Sequence, residues 1–283
     1  MQPHYLENPL PLGQHDFAII DRMQHPDIDK SWPVLEMVSP MLQPQAPLYP
    51  WLLPLKEMKA DGWQTLMQQL GQATSSDVPP LCKLVFRSDS SAQEIRSSLI
   101  KAMLFTDERH QNYIIRYYDP RVLIHFFWMF TWKELMAFLP VNQITHWTLW
   151  IEGQWHSLEY RSSQSGSADA ESGNTPPFSR LQNIGLINCV LNEMEIGSNI
   201  QERQRCSQEI ENLLNQGRGL GLEHDDDLII FTCSALTRSP DFWRAPVIQN
   251  LLKYANNKPG IFFRTVRNLS DIQWQEIVIQ SGR

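Results

Sequence analysis

No stretch of this chain is apolar for long enough to cross a bilayer as a helix. The longest apolar run, VLIHFFWMFTW at 122–132, contains His125 and stops well short of the roughly 20 residues that a span needs. The N-terminus, MQPHYLENPLPLGQHD, has neither a basic leading segment nor a continuous apolar core, so it does not read as a secretory signal. Cysteine is scarce: Cys82, Cys189, Cys206 and Cys233 stand apart, without a Cys-x-x-Cys pair. Such usage points to a reducing compartment and buried thiols, not to a disulfide frame or a zinc site. A basic stripe is lacking as well. Formal net charge is -7, and the closest approach to a stripe, QERQRC at 201–206, is broken by Glu202 and followed by Glu209 and Glu211. It reads as the solvated face of a helix, and nucleic acid is not an expected partner, because a phosphate backbone demands clustered cations. The expectation is a soluble, cytoplasmic chain with no membrane insertion.

Chemical signatures are missing too. There is no phosphate-binding loop, no nucleophile elbow and no zincin motif, and the eight histidines are dispersed. GRGLGLEHDDD at 217–227 has alternating glycines, but they follow a helical pattern and lack the last glycine of a dinucleotide fingerprint. Glu223, His224 and Asp225 to Asp227 gather oxygen ligands without EF-hand spacing. The favoured reading is that Asp225 or Asp226 caps a buried helix starting near Leu228, where acidic residues suit the helix dipole. No cofactor and no metal are expected.

What the chain has is apolar and aromatic surplus: 42% of its 283 residues are hydrophobic, with 10 Trp, 12 Phe and 10 Met. That composition supports a real core and a globular fold. Residues 1–16 read as an irregular tail. FAIID at 17–21 suggests a short buried strand, and WPVLEMV at 32–38 a second short element. Prolines between Pro40 and Pro54 suggest extended chain, since they exclude an α-helix. GWQTLMQQLGQ at 62–72 has helical composition, and Gly71 suits its end. LCKLVFRS at 81–88 is strand-like, and Ser91 to Glu94 form a capping box before a helix with Ile95, Leu99 and Met103 on one stripe. NYIIRYY at 112–118 reads as the next strand, so a crossover unit of a mixed or parallel sheet is expected.

In IIRYYDPRVLIHFF, 114–127, Asp119 is placed to cap a helix and Pro120 to occupy its first position. Arg121 in that first turn opposes the helix dipole, so a carboxylate, Asp89 or Asp119, should hold it. HWTLWIEGQWHSLEY at 146–160 predicts a hairpin turning at Glu152-Gly153, with Trp150 opposite Trp155 and His146 opposite Glu159. His146 and His156 then face opposite ways and cannot share a metal.

RSSQSGSADAESGNTPP at 161–177 is small and polar, and reads as a flexible linker. It divides an α/β lobe at 17–160, of α+β type with a mixed sheet, from an all-helical lobe at 178–283. There, helices are expected at 206–216 with Ile210, Leu213 and Leu214 inward, at 226–238, at 245–257 with Val247, Leu251 and Tyr254 in a stripe, and at 271–280 with Ile272 and Ile277 inward. Phe242 and Trp243, in RSPDFWRAP, fall in a loop between helices, where exposed aromatics would suit a peptide groove, although core burial is the favoured reading for side chains so large and apolar.

The combination of FRSD at 86–89, a helix, RYYDPRVL at 116–123 and LMAFLP at 135–140 resembles the adaptor domain of bacterial type VI secretion effector chaperones. The resemblance covers roughly 17–140. The later order GL…DDLIIF…SPDFW…P is similar to that family's variable helical lobe. It implies a non-enzymatic cytoplasmic adaptor that binds a cognate effector through the effector's N-terminal region. Such an adaptor helps load the effector onto the VgrG spike, with a PAAR cap as a further partner. Phe86, Arg87, Ser88, Asp89, Arg116, Tyr117, Tyr118, Asp119, Pro120 and Arg121 occupy the family motif, in a structural role. Phe242, Trp243, Leu251 and Tyr254 are the expected partner-binding residues. The rivals are an immunity protein that blocks a toxin, and an enzyme assembled through space from Arg116, Asp119 and a histidine.

Overall fold

The computed structural model describes residues 2–26, 28, 32–73, 80–107, 109–161, 178–256 and 258–282. Apart from Arg161, the expected linker at 161–177 lies outside the described residues. The chain divides into two compact units, Met1–Phe178 and Ser179–Arg283. Among the described residues, no helix is long and apolar enough to cross a membrane.

In chain order the first unit contains β1 (Gln2–Tyr5), β2 (Phe17–Ile20), β3 (Leu35–Glu36), β4 (Trp51–Pro54), α1 (Ala60–Ala73) and β5 (Cys82–Arg87). Then come α2 (Ala92–Met103), β6 (Leu104–Thr106), β7 (Asn112–Ile114), α3 (Pro120–Met129), α4 (Trp132–Phe138), β8 (His146–Ile151) and β9 (Gln154–Arg161). Seven strands form one sheet in the order β1-β9-β8-β5-β2-β4-β3, while β6 and β7 pair separately.

Every pairing in that sheet is antiparallel, which corrects the mixed sheet and its crossover unit. The reason lies in the chain after α2. It continues at once into β6, and β7 folds back on β6 with Phe105 opposite Tyr113. The strand therefore ends at Ile114, not at Tyr118, and never reaches the main sheet. The supposed tail is also structured: residues 2–5 pair with 158–161 at the edge of the sheet. Proline acts as expected only in part. Trp51–Pro54 is a strand, but Pro40–Leu48 winds as 3₁₀-helix, whose short turns tolerate a residue without an amide proton.

Two apolar layers cover this sheet. On one side, Ala18, Trp51, Leu53 and Val85 pack with Leu66 and Leu70 of α1. Elsewhere an aromatic ladder runs from Phe17 to Phe86 at 5.3 Å, to Trp147 at 5.5 Å and on to Phe127 of α3 at 6.3 Å. The β8–β9 hairpin has its expected register, with Trp150 opposite Trp155, and His146 Nε2 meets Glu159 Oε2 at 3.1 Å. Non-glycine Glu152 and then Gly153 both adopt positive φ at its tip, 42° and 85°.

The second unit is helical throughout: α5 (Phe178–Glu193), α6 (Ile200–Gly219), α7 (Asp225–Thr237), α8 (Pro246–Ala255), α9 (Ile261–Arg267) and α10 (Asp271–Ser281). Not all of QERQRC is a solvated face. Gln201, Glu202 and Arg205 are exposed, but Arg203 is buried and its Nη1 donates to the carbonyls of Ile196 at 2.8 Å and Gly197 at 3.3 Å. It serves carbonyls of the turn that follows α5, which no helix takes up. Gly217 lets α6 and α7 approach: a Cβ there would lie 3.0 Å from Leu228 Cδ2 and 3.2 Å from Phe231 Cδ1. Gly217→Leu is accordingly expected to overpack this contact and lower stability by about 1–3 kcal/mol, read from urea midpoints. A gain in stability would show that the interface has slack.

Candidate functional site

The charged corner between β7 and α3 is built as local chemistry demands. Asp119 is extended and caps α3, its carboxylate accepting from the Arg121 amide at 2.9 Å. Pro120 follows at the first helical position, where no amide proton is needed. The same carboxylate takes Arg121 in a two-pronged pair, Nε at 3.1 Å and Nη2 at 2.8 Å. Of the two expected partners, Asp119 therefore holds Arg121, while Asp89 is exposed.

Burial alone would raise the Asp119 carboxyl, but the hydrogen bond and charge of Arg121 hold it below the usual carboxylate range. Its folded pKa is thus depressed. The stability it contributes is present above the unfolded value near 4 and is lost as pH falls through the folded value. Asp119→Ala is expected to cost about 1–2 kcal/mol at neutral pH. Chemical melts from pH 7 down to pH 2 should show the gap from wild type closing; a gap unchanged at pH 2 would contradict the pairing.

Beside the corner lies a cavity of about 250 Å³. Its polar lining comes from Asp21, Gln24, Lys83, Arg116, Tyr118, Asp119 and Arg121. Lys83 Nζ donates to Gln24 at 3.0 Å, and the Arg116 guanidinium lies 5.5 Å from the Tyr118 ring. Among the described residues, neither cation takes part in an ion pair closer than 4 Å. Burial raises the Tyr118 phenol, which stays a protonated donor. The arrangement offers donors and positive charge to an acceptor group such as a carboxylate. Among the described residues, no histidine lines it.

The motif residues do not converge on this cavity as one set. Arg116, Tyr118, Asp119, Pro120 and Arg121 line it, but Tyr117 turns inward and its hydroxyl donates to the Leu99 carbonyl at 2.8 Å. FRSD serves elsewhere. Phe86 is core, the Arg87 carbonyl accepts from the Thr145 amide at 2.9 Å, and the Ser88 amide donates to Asp16 at 2.9 Å. Sequence reasoning missed Asp16, Asp21 and Lys83. Asp16 is buried, and its own amide donates to the Phe86 carbonyl, so it ties the ends of β2 and β5 together. Its signal was a carboxylate directly before an apolar strand.

Residues 17–137 match the model of a domain of unknown function, DUF4123. No curated protein and no solved structure matches the chain. The matched segment starts with β2 and ends within α4, so it holds FRSD, the RYYDPR corner and every residue that lines the polar cavity. The β8–β9 hairpin and the helical unit lie beyond it.

The first unit has a second, apolar cavity of about 330 Å³, between Pro9–Leu12 and the α1 residues Met67 and Leu70. His15 reaches its wall, with Nε2 2.7 Å from Thr148 Oγ1, and burial lowers its pKa, so it is neutral there.

In the helical unit the expected partner-binding residues separate. Phe242 is wholly buried, 5.3 Å from Phe231 and 5.6 Å from Trp274, and cannot meet a partner. A 3₁₀ turn at Phe242–Arg244 points its ring inward, a choice that loop position alone could not reveal. Trp243 is half-buried. Leu251 is half-buried and Tyr254 is 59% exposed, as is Val247 at 53%, because the core side of α8 is instead Ile248, Leu252 and Ala255. In α10, Ile277 is buried as expected with Trp274, whereas Ile272 is 70% exposed on the opposite side.

Asp225 and Asp226 lie in the first turn of α7, whose cap position is His224, without a side-chain capping bond. Asp227 is buried, and its carboxylate accepts from the amides of Gly260 at 2.9 Å and Phe263 at 2.7 Å, capping α9 instead. Among the described residues, no group of three or more His, Cys, Asp or Glu is placed to hold a metal ion. The cysteines are less uniformly buried than expected. Cys82 is enclosed and burial pushes its thiol up to about 12, but Cys189 is exposed.

Proposed function

We propose that this chain is a non-enzymatic, cytoplasmic adaptor that binds a cognate type VI secretion effector and helps load it onto the VgrG spike. The observation that carries the reading is the match over residues 17–137, a domain associated with adaptors of that system. The resemblance of FRSD and RYYDPRVL lies within the same segment. Chemistry at the corner favours the same reading. The Asp119 carboxylate is engaged by an amide and a guanidinium, so it is poorly placed to act as a base. A partner-binding role suits the helical unit, whose exposed apolar side chains would be covered at about 25 cal/mol per Å² of apolar surface removed from water.

The test is co-expression of the tagged full chain with the product of the adjacent large gene and with its truncations. Capture through the N-terminal segment of that product supports the adaptor. Capture only through its C-terminal toxin domain would make the chain an immunity protein. Absence of capture by every truncation, in a folded sample, would sink the adaptor reading.

A further inference from the structure

The helical unit concentrates positive charge in one place. From Phe242 to Ser270 the sequence has Arg244, Lys253, Lys258, Arg264 and Arg267, and no Asp or Glu, in a chain whose net charge is -7. Arg244 is matched by Asp241 at 3.2 Å. The other four are exposed, and among the described residues none takes part in an ion pair closer than 4 Å.

Two of these cations, Lys258 and Arg264, lie at the end of an apolar stripe, and Lys253 lies on the solvent side of the same helix. Val247, Leu251 and Tyr254 succeed one another at four- and three-residue steps along α8, which places them on one face beside the buried Ile248 and Leu252. Two turns of geometry hold the charges against it. The Lys258 ammonium sits 3.6 Å from the centre of the Tyr254 ring. Arg264 Nε donates to the Gly260 carbonyl at 3.1 Å, which keeps its guanidinium beside the turn that carries Lys258. That turn is fixed from below by the Asp227 carboxylate.

We propose that this face of α8, with Lys258 and Arg264 at its end and Lys253 on the adjoining solvent side, docks an amphipathic helix of a protein partner whose apolar residues are flanked by carboxylates. A helix offering anchors at the same three- and four-residue steps covers Val247, Leu251 and Tyr254. Its acidic flanks meet unmatched cations, and this complementarity sets orientation and rejects basic helices. The proposal rests on the adaptor reading for its biological partner, and it names the chemistry by which that partner is recognised.

The experiment uses the full chain and two fluorescent synthetic helices of equal length. They share one leucine stripe, which is flanked by glutamates in one and by lysines in the other. Binding of the glutamate helix at least tenfold tighter in low salt, with the gap shrinking at high salt, is the expected result. K253E/K258E should abolish or invert that preference, with the helical circular dichroism unchanged, since both positions are exposed. A preference that survives K253E/K258E, no binding of the glutamate helix, or tighter binding of single-stranded DNA would each overturn the proposal. None of these outcomes depends on the effector, so they stand apart from the co-expression result. Where that co-expression gives capture, K253E/K258E should lower it several-fold, and undiminished capture would remove this face from the interaction.

Discussion

Phe242→Ala is expected to lower the stability of the helical unit by about 3–5 kcal/mol. The side chain is fully buried between Phe231 and Trp274, and Phe231 in turn lies 6.2 Å from Phe262. Truncation therefore opens a ring-sized void at a junction of α7, α10 and the 3₁₀ turn, with little room for collapse among large rings. In thermal melts the corresponding transition should fall by at least about 10 °C. Tyr254→Ala provides the contrast. Its ring is 59% exposed, so its removal should shift stability by no more than about 0.5 kcal/mol. Any loss of partner binding in Phe242→Ala would then report unfolding, whereas a loss in Tyr254→Ala would report contact. An unshifted melt for Phe242→Ala would show that the aromatic junction does not form.

That contrast also marks where the sequence was legible. Features decided within a few residues were readable: the capping box at Ser91 and Glu94, the cap and proline at Asp119-Pro120, and the hairpin register through Glu152-Gly153. Each depends on hydrogen bonds that short spacing dictates. Features decided by distant chain were not. Nothing near residues 2–5 announces a partner at 158–161, and nothing in NYIIRYY says that three residues pair with β6 while Tyr117 serves α2. Helical stripes failed for a related reason. Val247, Leu251 and Tyr254 have the spacing of a core face, but so do Ile248, Leu252 and Ala255. Only the neighbouring helices decide between them. The candidate site follows the same division: the Asp119–Arg121 pair was accessible to reasoning, while Lys83 and Asp21 join it through the sheet.

Asp227 is the strongest instance of a long-range role concealed in a local pattern, and its removal should be nearly as costly as that of Phe242. In an acidic run its charge suggests solvent, yet its carboxylate is buried and accepts two amides from the chain around α9. Gly260, at φ 74°, is the glycine that lets the turn bring both amides to one acceptor. Asp227→Ala leaves those amides without their acceptor and should cost about 2–4 kcal/mol. Asp227→Asn retains one carbonyl oxygen but turns its side-chain amide NH2, itself a donor, toward the second donor, so it should recover only part of the loss. Hydrogen exchange distinguishes this from a general loosening: amides at 258–264 should exchange much faster in Asp227→Ala, with β5 and β8 unaffected. Equal exchange across the variants would mean that the carboxylate does not anchor the turn. The effect should also reach the surface. The turn holds Lys258 over Tyr254, so Asp227→Ala should weaken the glutamate-flanked helix several-fold although Asp227 touches no partner. Undiminished binding in a folded Asp227→Ala sample would instead show that recognition needs only the charge of Lys258 and not its fixed position.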